Sequence, residues 1–180
     1  MNYSQVQTHK WLKIAFLNLL IVALLGTLMR YKIAYSFPFI EQKKFMNAHS
    51  HFAFAGWISQ ALMVLMVNYL STLTTKNVLK KYRWVFMANL VMAYGMLFTF
   101  PWEGYGSLSI FFSTLSIFVS YAFAFMFWRD LNKIKIKSVT YYWFTAALIF
   151  NVFYFAGPFF LAYLLFNNWN HPNLFLASLY

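Results

Sequence analysis

The chain has 180 residues; 62% are hydrophobic, 24% are aromatic and only 9% are charged. A soluble domain needs about a quarter charged residues to keep its surface wet, and three acids, Glu41, Glu103 and Asp130, cannot supply that. An ordinary soluble globule and a disordered chain are excluded, and the absence of cysteine excludes a disulfide-stapled secreted module.

The expected fold class is an all-α, polytopic transmembrane helix bundle, a single integral-membrane domain over residues 1–180. Its first span covers about 14–36, with the apolar run IAFLNLLIVALLGTLM at 14–29. No small-x-small cleavage site follows that run, so it reads as a retained helix and not a signal peptide. Further spans are expected at about 46–70, 84–101, 107–128 and 141–166. Each approaches the roughly 20 residues a helix needs to cross a bilayer. The runs are continuous and lack period-two alternation, which favours helices over a barrel. The final eight residues, 173–180, NLFLASLY, read as the start of a sixth span. Eight helical residues rise only about 12 Å, so a longer natural product is expected.

The net charge of +11 comes from 14 basic residues in short clusters between the apolar runs. A nucleic-acid surface would form one stripe, so no nucleic-acid partner is expected and the lipid bilayer is. With the N-terminus cytoplasmic, ten basic residues lie inside: Lys10, Lys13, Lys76, Lys80, Lys81, Arg83, Arg129, Lys133, Lys135 and Lys137. Four lie outside, all in the first loop: Arg30, Lys32, Lys43 and Lys44. Ten against four favours that orientation, in a multi-pass protein of the bacterial inner (cytoplasmic) membrane. Arg30 and Lys32 either snorkel from the end of the first helix or meet anionic groups there, such as headgroups or cofactor propionates. Trp84, Trp102, Tyr105, Trp128, Tyr141, Trp143 and Trp169 sit at segment ends as an aromatic belt.

Ionisable groups inside a membrane are candidates for function. His49 and His51 open the second span in the run Asn47-Ala48-His49-Ser50-His51-Phe52-Ala53-Phe54-Ala55-Gly56-Trp57. Residues two apart on a regular helix point about 200° from each other, so the pair cannot grip one metal ion together. On such a helix His49 shares a face with Ala53, Gly56, Gln60 and Met63, and His51 with Ala55, Ile58, Leu62 and Leu65. A flat cofactor or a neighbouring helix fits against either face, and the choice of ligand stays open. Imidazole suits haem iron and other transition metals. Secondary candidates are His171, in the loop before Pro172, and Glu103, placed to pair with Lys43 or Lys44 or to help hold a metal. Asn18, Gln60, Asn68, Asn89 and Asn151 are expected to hydrogen-bond between helices. No nucleophile–base set, phosphate loop or HExxH, CxxC or CxxCH pattern is present, so no catalytic residue is assigned.

The stretch Asn47–Tyr69, with HxH followed by Gly56-Trp57, resembles the second helix of haem–copper oxidase subunit I-like proteins, a superfamily that includes nitric oxide reductases and cbb3-type oxidases. The resemblance implies that one of His49 and His51 is an axial ligand to a low-spin haem b near the outer surface. Gly56 and Arg30 are then candidates around the cofactor, in an electron-transfer part of an oxidoreductase. In that superfamily the copper ligands and the second axial histidine lie on later helices, from the sixth onward. The chain therefore resembles only the N-terminal part, copper and the catalytic centre are not assignable to it, and the expected partners are other oxidase-type subunits or further C-terminal helices. Two other readings stand beside this one. One is a small non-redox transporter or assembly factor, with an outer-face metal site of His49, His51, His171 and Glu103. The other is a structural subunit with no site.

Overall fold

A computed structural model describes residues 3–35, 37–74, 78–134, 137–154 and 157. The described chain is helical and falls into two compact units, residues 1–134 and 135–180.

The first unit contains α1 (Tyr3–Ala34), α2 (Gln42–Phe52), α3 (Gln60–Leu73), α4 (Val78–Glu103) and α5 (Ser107–Leu131). α2 and α3 form one rod, joined by a π-helical segment, Ala53–Ser59. Four helices are long and apolar enough to cross a membrane: Gln5–Ala34, Gln42–Leu73, Val78–Glu103 and Ser107–Leu131. They cover the first four expected spans, the first ending at Ala34 instead of about 36, and elsewhere reach beyond them because helix continues into the basic and polar flanks where backbone bonding remains favourable. In the second unit α6 (Val139–Tyr154) begins where the fifth span is expected. Residues 155–156 and 158–166 of that span, residues 173–180 and His171 lie outside the described residues.

Side-chain contacts fix the topology. Thr8 reaches Asn68, Asn18 reaches Gly56, and Gly26 lies against His49, so α1 runs antiparallel to the α2–α3 rod. Asn89 meets Gln60 and Phe100 stacks on His51, so α4 is antiparallel to the same rod. α1 and α4 run parallel, joined by Trp11–Phe86 and by Tyr94–Asn18. α5 returns along α4, with Asp130 beside Lys81 and Tyr82 at one end and Ser109 beside Glu103 at the other.

Phe52, Val64, Val67, Leu70, Phe86 and Phe100 are fully buried between these helices. Large apolar side chains also point outward: Phe16, Leu24, Phe98, Phe118 and Phe125 are each more than half exposed. Apolar surface distributed around a bundle in this way is what contact with lipid tails requires.

The π segment corrects the faces expected for a regular helix. Ala48, Phe52, Gly56 and Gln60 are all buried, at a repeated spacing of four residues. On an α-helix each four-residue step drifts by about 40°, which would carry this line around the rod. The wider turn from Ala53 to Ser59 absorbs the drift, so the line continues toward α1 and α4. Gly56 and Gln60 consequently align with Ala48 and Phe52, and the stripe expected from His49 ends at the π segment.

Candidate functional site

His49 and His51 lie on the last turn of α2, immediately before the π segment. Their side chains diverge, as two-residue spacing on a helix demands. His49 turns to α1: a Cβ built on Gly26 would lie 3.3 Å from its Cε1 and 3.9 Å from its Nδ1. Glycine at 26 is what allows the imidazole this close to the α1 backbone. The Nδ1 of His49 is buried and has no hydrogen-bond partner among the described residues. His51 turns to α4, where its ring stacks on Phe100 at 4.5 Å with 10° between planes. Tyr105 closes on it edge-on at 6.4 Å and on Phe100 at 5.3 Å. One imidazole therefore sits in an aromatic stack, and the other has an unsatisfied nitrogen against a glycine.

Arg30 lies four residues after Gly26, one turn along the same face of α1, and is exposed. Gly56 is buried in the π segment. Its carbonyl accepts a hydrogen bond from Asn18 Nδ2, and Tyr94 Oη donates to Asn18 Oδ1 at 2.7 Å. From the other side Asn89 Nδ2 donates to the Ala55 carbonyl and to Gln60 Oε1, both at 2.9 Å. A π turn offers carbonyls with weakened internal bonds, and two neighbouring helices satisfy them with amides. The expected interhelical roles of Asn18, Gln60 and Asn89 are thus filled, although Gln60 Nε2 stays buried without a partner among the described residues. No sequence signal reveals the π segment directly, but the four-residue spacing of Ala48, Phe52, Gly56 and Gln60 is its trace.

Glu103 departs from expectation. Its Oε1 accepts from the Ser109 backbone N–H at 2.6 Å and from the Ser109 hydroxyl at 3.1 Å. The carboxylate caps the first turn of α5, where free N–H groups and the helix dipole attract an anion. Its side chain crosses Gly106, where a Cβ would clash with it. Lys44 pairs instead with Glu41 at 2.8 Å and donates to the Trp102 carbonyl at 3.4 Å. Gly104 makes the turn possible with φ at +65°, the left-handed region where glycine carries no steric penalty.

Among the described residues no three His, Cys, Asp or Glu side chains converge on one point that would hold a metal ion. The His49 imidazole lies against the glycine of α1, and the exposed Arg30 lies one turn further along that helix.

No family model, no curated protein and no solved structure matches this chain.

Proposed function

We propose that this chain is a multi-pass protein of the bacterial cytoplasmic membrane, with its N-terminus inside, that binds haem b through His49 as the electron-carrying part of an oxidoreductase. Further oxidase-type subunits or C-terminal helices would complete the assembly. The observation that carries the reading is the placement of the His49 imidazole against Gly26 of α1, one helical turn from the exposed Arg30. Nδ1 faces the α1 backbone, so the other ring nitrogen would be the one to ligate the iron. Haem b would supply reversible one-electron chemistry. His49 would hold it, Arg30 would neutralise a propionate, and Gly26 would keep the α1 backbone clear of the ring. His51, already stacked on Phe100, would support the fold of this end.

The test is a dithionite-reduced minus oxidised optical spectrum of the detergent-purified natural gene product. A sharp b-type α-band is expected. His49→Ala should abolish it, Gly26→Leu should weaken it by moving the imidazole, and His51→Ala should leave most of it. A flat spectrum at full protein load, or loss only in His51→Ala, would overturn the assignment.

A further inference from the structure

The opposite end of the first unit carries a constellation that the histidine reading does not use. Asp130, in the last turn of α5, is 8% exposed. One of its oxygens accepts from Lys81 Nζ and, at 2.9 Å, from Tyr82 Oη; the other accepts from Lys133 Nζ at 2.9 Å. Tyr82 is fully buried, so it fixes the carboxylate from within. Two ammonium groups on one carboxylate must stand side by side. Their side chains remain 47% and 61% exposed, which leaves further N–H donors facing outward. Arg129, also exposed, adjoins Asp130 on α5. Two ammonium groups against one carboxylate leave the cluster positive, and Arg129, with Lys80 and Arg83 on α4, adds exposed cations at neighbouring positions.

Its setting is interfacial. Trp128 precedes Arg129 and is 49% exposed; Trp84 lies one turn beyond Lys81 and is 75% exposed. Further along the same helices Val91, Phe118 and Phe125 turn more than half their surface outward. Tryptophan at such a boundary marks headgroup depth, with apolar surface on one side and charge on the other.

We propose that Lys81, Arg129 and Lys133 form a binding site for the phosphate of an anionic phospholipid headgroup, with Asp130 and Tyr82 as positioning residues. Phosphate oxygens accept charge-assisted bonds from ammonium and guanidinium groups. The flanking tryptophans and outward apolar side chains suit the rest of a lipid and would be idle toward a soluble anion. The site rests on the membrane-spanning reading of the four helices and is independent of haem.

The test is native mass spectrometry of the natural gene product from neutral detergent, with phosphatidylglycerol and phosphatidylcholine of identical acyl chains. Phosphatidylglycerol should be retained and phosphatidylcholine released. Each charge removed should weaken retention about fivefold, the equivalent of roughly 1 kcal/mol per basic side chain near anionic headgroups. Lys133→Gln should therefore lose about fivefold and Arg129→Gln with Lys133→Gln about 25-fold, at unchanged helicity by circular dichroism. Lys32→Gln with Lys43→Gln, at the opposite end, should leave retention intact. Equal retention of the two lipids, equal losses in the two double variants, or displacement of the lipid by millimolar sodium phosphate would overturn the site. Release of the protein from membranes by alkaline carbonate would instead overturn the membrane reading, and that result is separable from the others.

Discussion

Two helix contacts in the first unit are built on different chemistry. Around the π segment, α1 and α4 are tied to the second rod by the amides of Asn18 and Asn89, which donate to the carbonyls of Gly56 and Ala55. Between α4 and α5 a glycine, Gly95, lies under the ring of Phe112, and polar bonds are made near the two ends, at Asp130 and Glu103. Lipid tails are as apolar as leucine, so burial alone does not drive helices together in a bilayer. Small residues then set how closely two helices approach, and hydrogen bonds set which rotation and register they adopt. The first contact is specified mainly by register and the second mainly by distance.

The contrast is tested most severely at Gly95. A Cβ there would overlap Phe112 Cδ1 and lie 2.6 Å from its Cγ. Because the ring root is hit as well as its edge, Gly95→Val should destabilise by about 3 kcal/mol. Thermal unfolding in detergent would measure this, and Phe112→Ala in the same chain should restore part of the loss.

Asn89→Leu should come next, at about 1–2 kcal/mol, because it removes two hydrogen bonds and leaves the Gln60 side-chain oxygen without its donor. Adding Gln60→Leu should cost less than the two single changes summed, since the orphaned amide disappears with it. Strict additivity in that double-mutant cycle would mean the amides do not act as a unit.

At the end of the α4–α5 contact, Asp130→Asn should cost about 1 kcal/mol. Both lysines keep water as an alternative partner, and only Tyr82 is fully buried. Glu103→Ala should be smallest, about 0.5–1 kcal/mol, the usual value of a helix N-terminal cap. Glu103→Gln retains an acceptor oxygen and should cost less again. If Glu103→Ala proved larger than Asn89→Leu in denaturant titrations, the tight turn and not the π-segment amides would be the principal constraint on register.

Much of this molecule is legible in its residues alone. Long apolar runs bounded by Lys and Arg mark the first four spans, because a bilayer accepts few other backbones than helices. The divergence of His49 and His51 follows from helical geometry, and the structure places them against Gly26 and Phe100 on two different helices. Asn18, Gln60 and Asn89 are recognisable as interhelical bonders, but their targets are not, since a main-chain carbonyl carries no signature in sequence. Glu103 reads as a salt-bridge partner of Lys43 or Lys44 and is instead a helix cap. Nothing local reveals that Gly106 leaves its carboxylate room to reach Ser109.

Composition settles the solvent: so few charges and so many aromatic residues can be stable only where most of the surface meets hydrocarbon. Hydropathy along the chain settles the order and rough position of the first four spans, since each is a local property of one run. The helix ends do not follow as closely, and α1 begins about three turns ahead of its apolar run. The π segment, the partner of each imidazole and the meeting of Lys81 with Asp130 arise only from packing. Each depends on which helix stands opposite and at what distance, a property of packed pairs that no single run of residues contains.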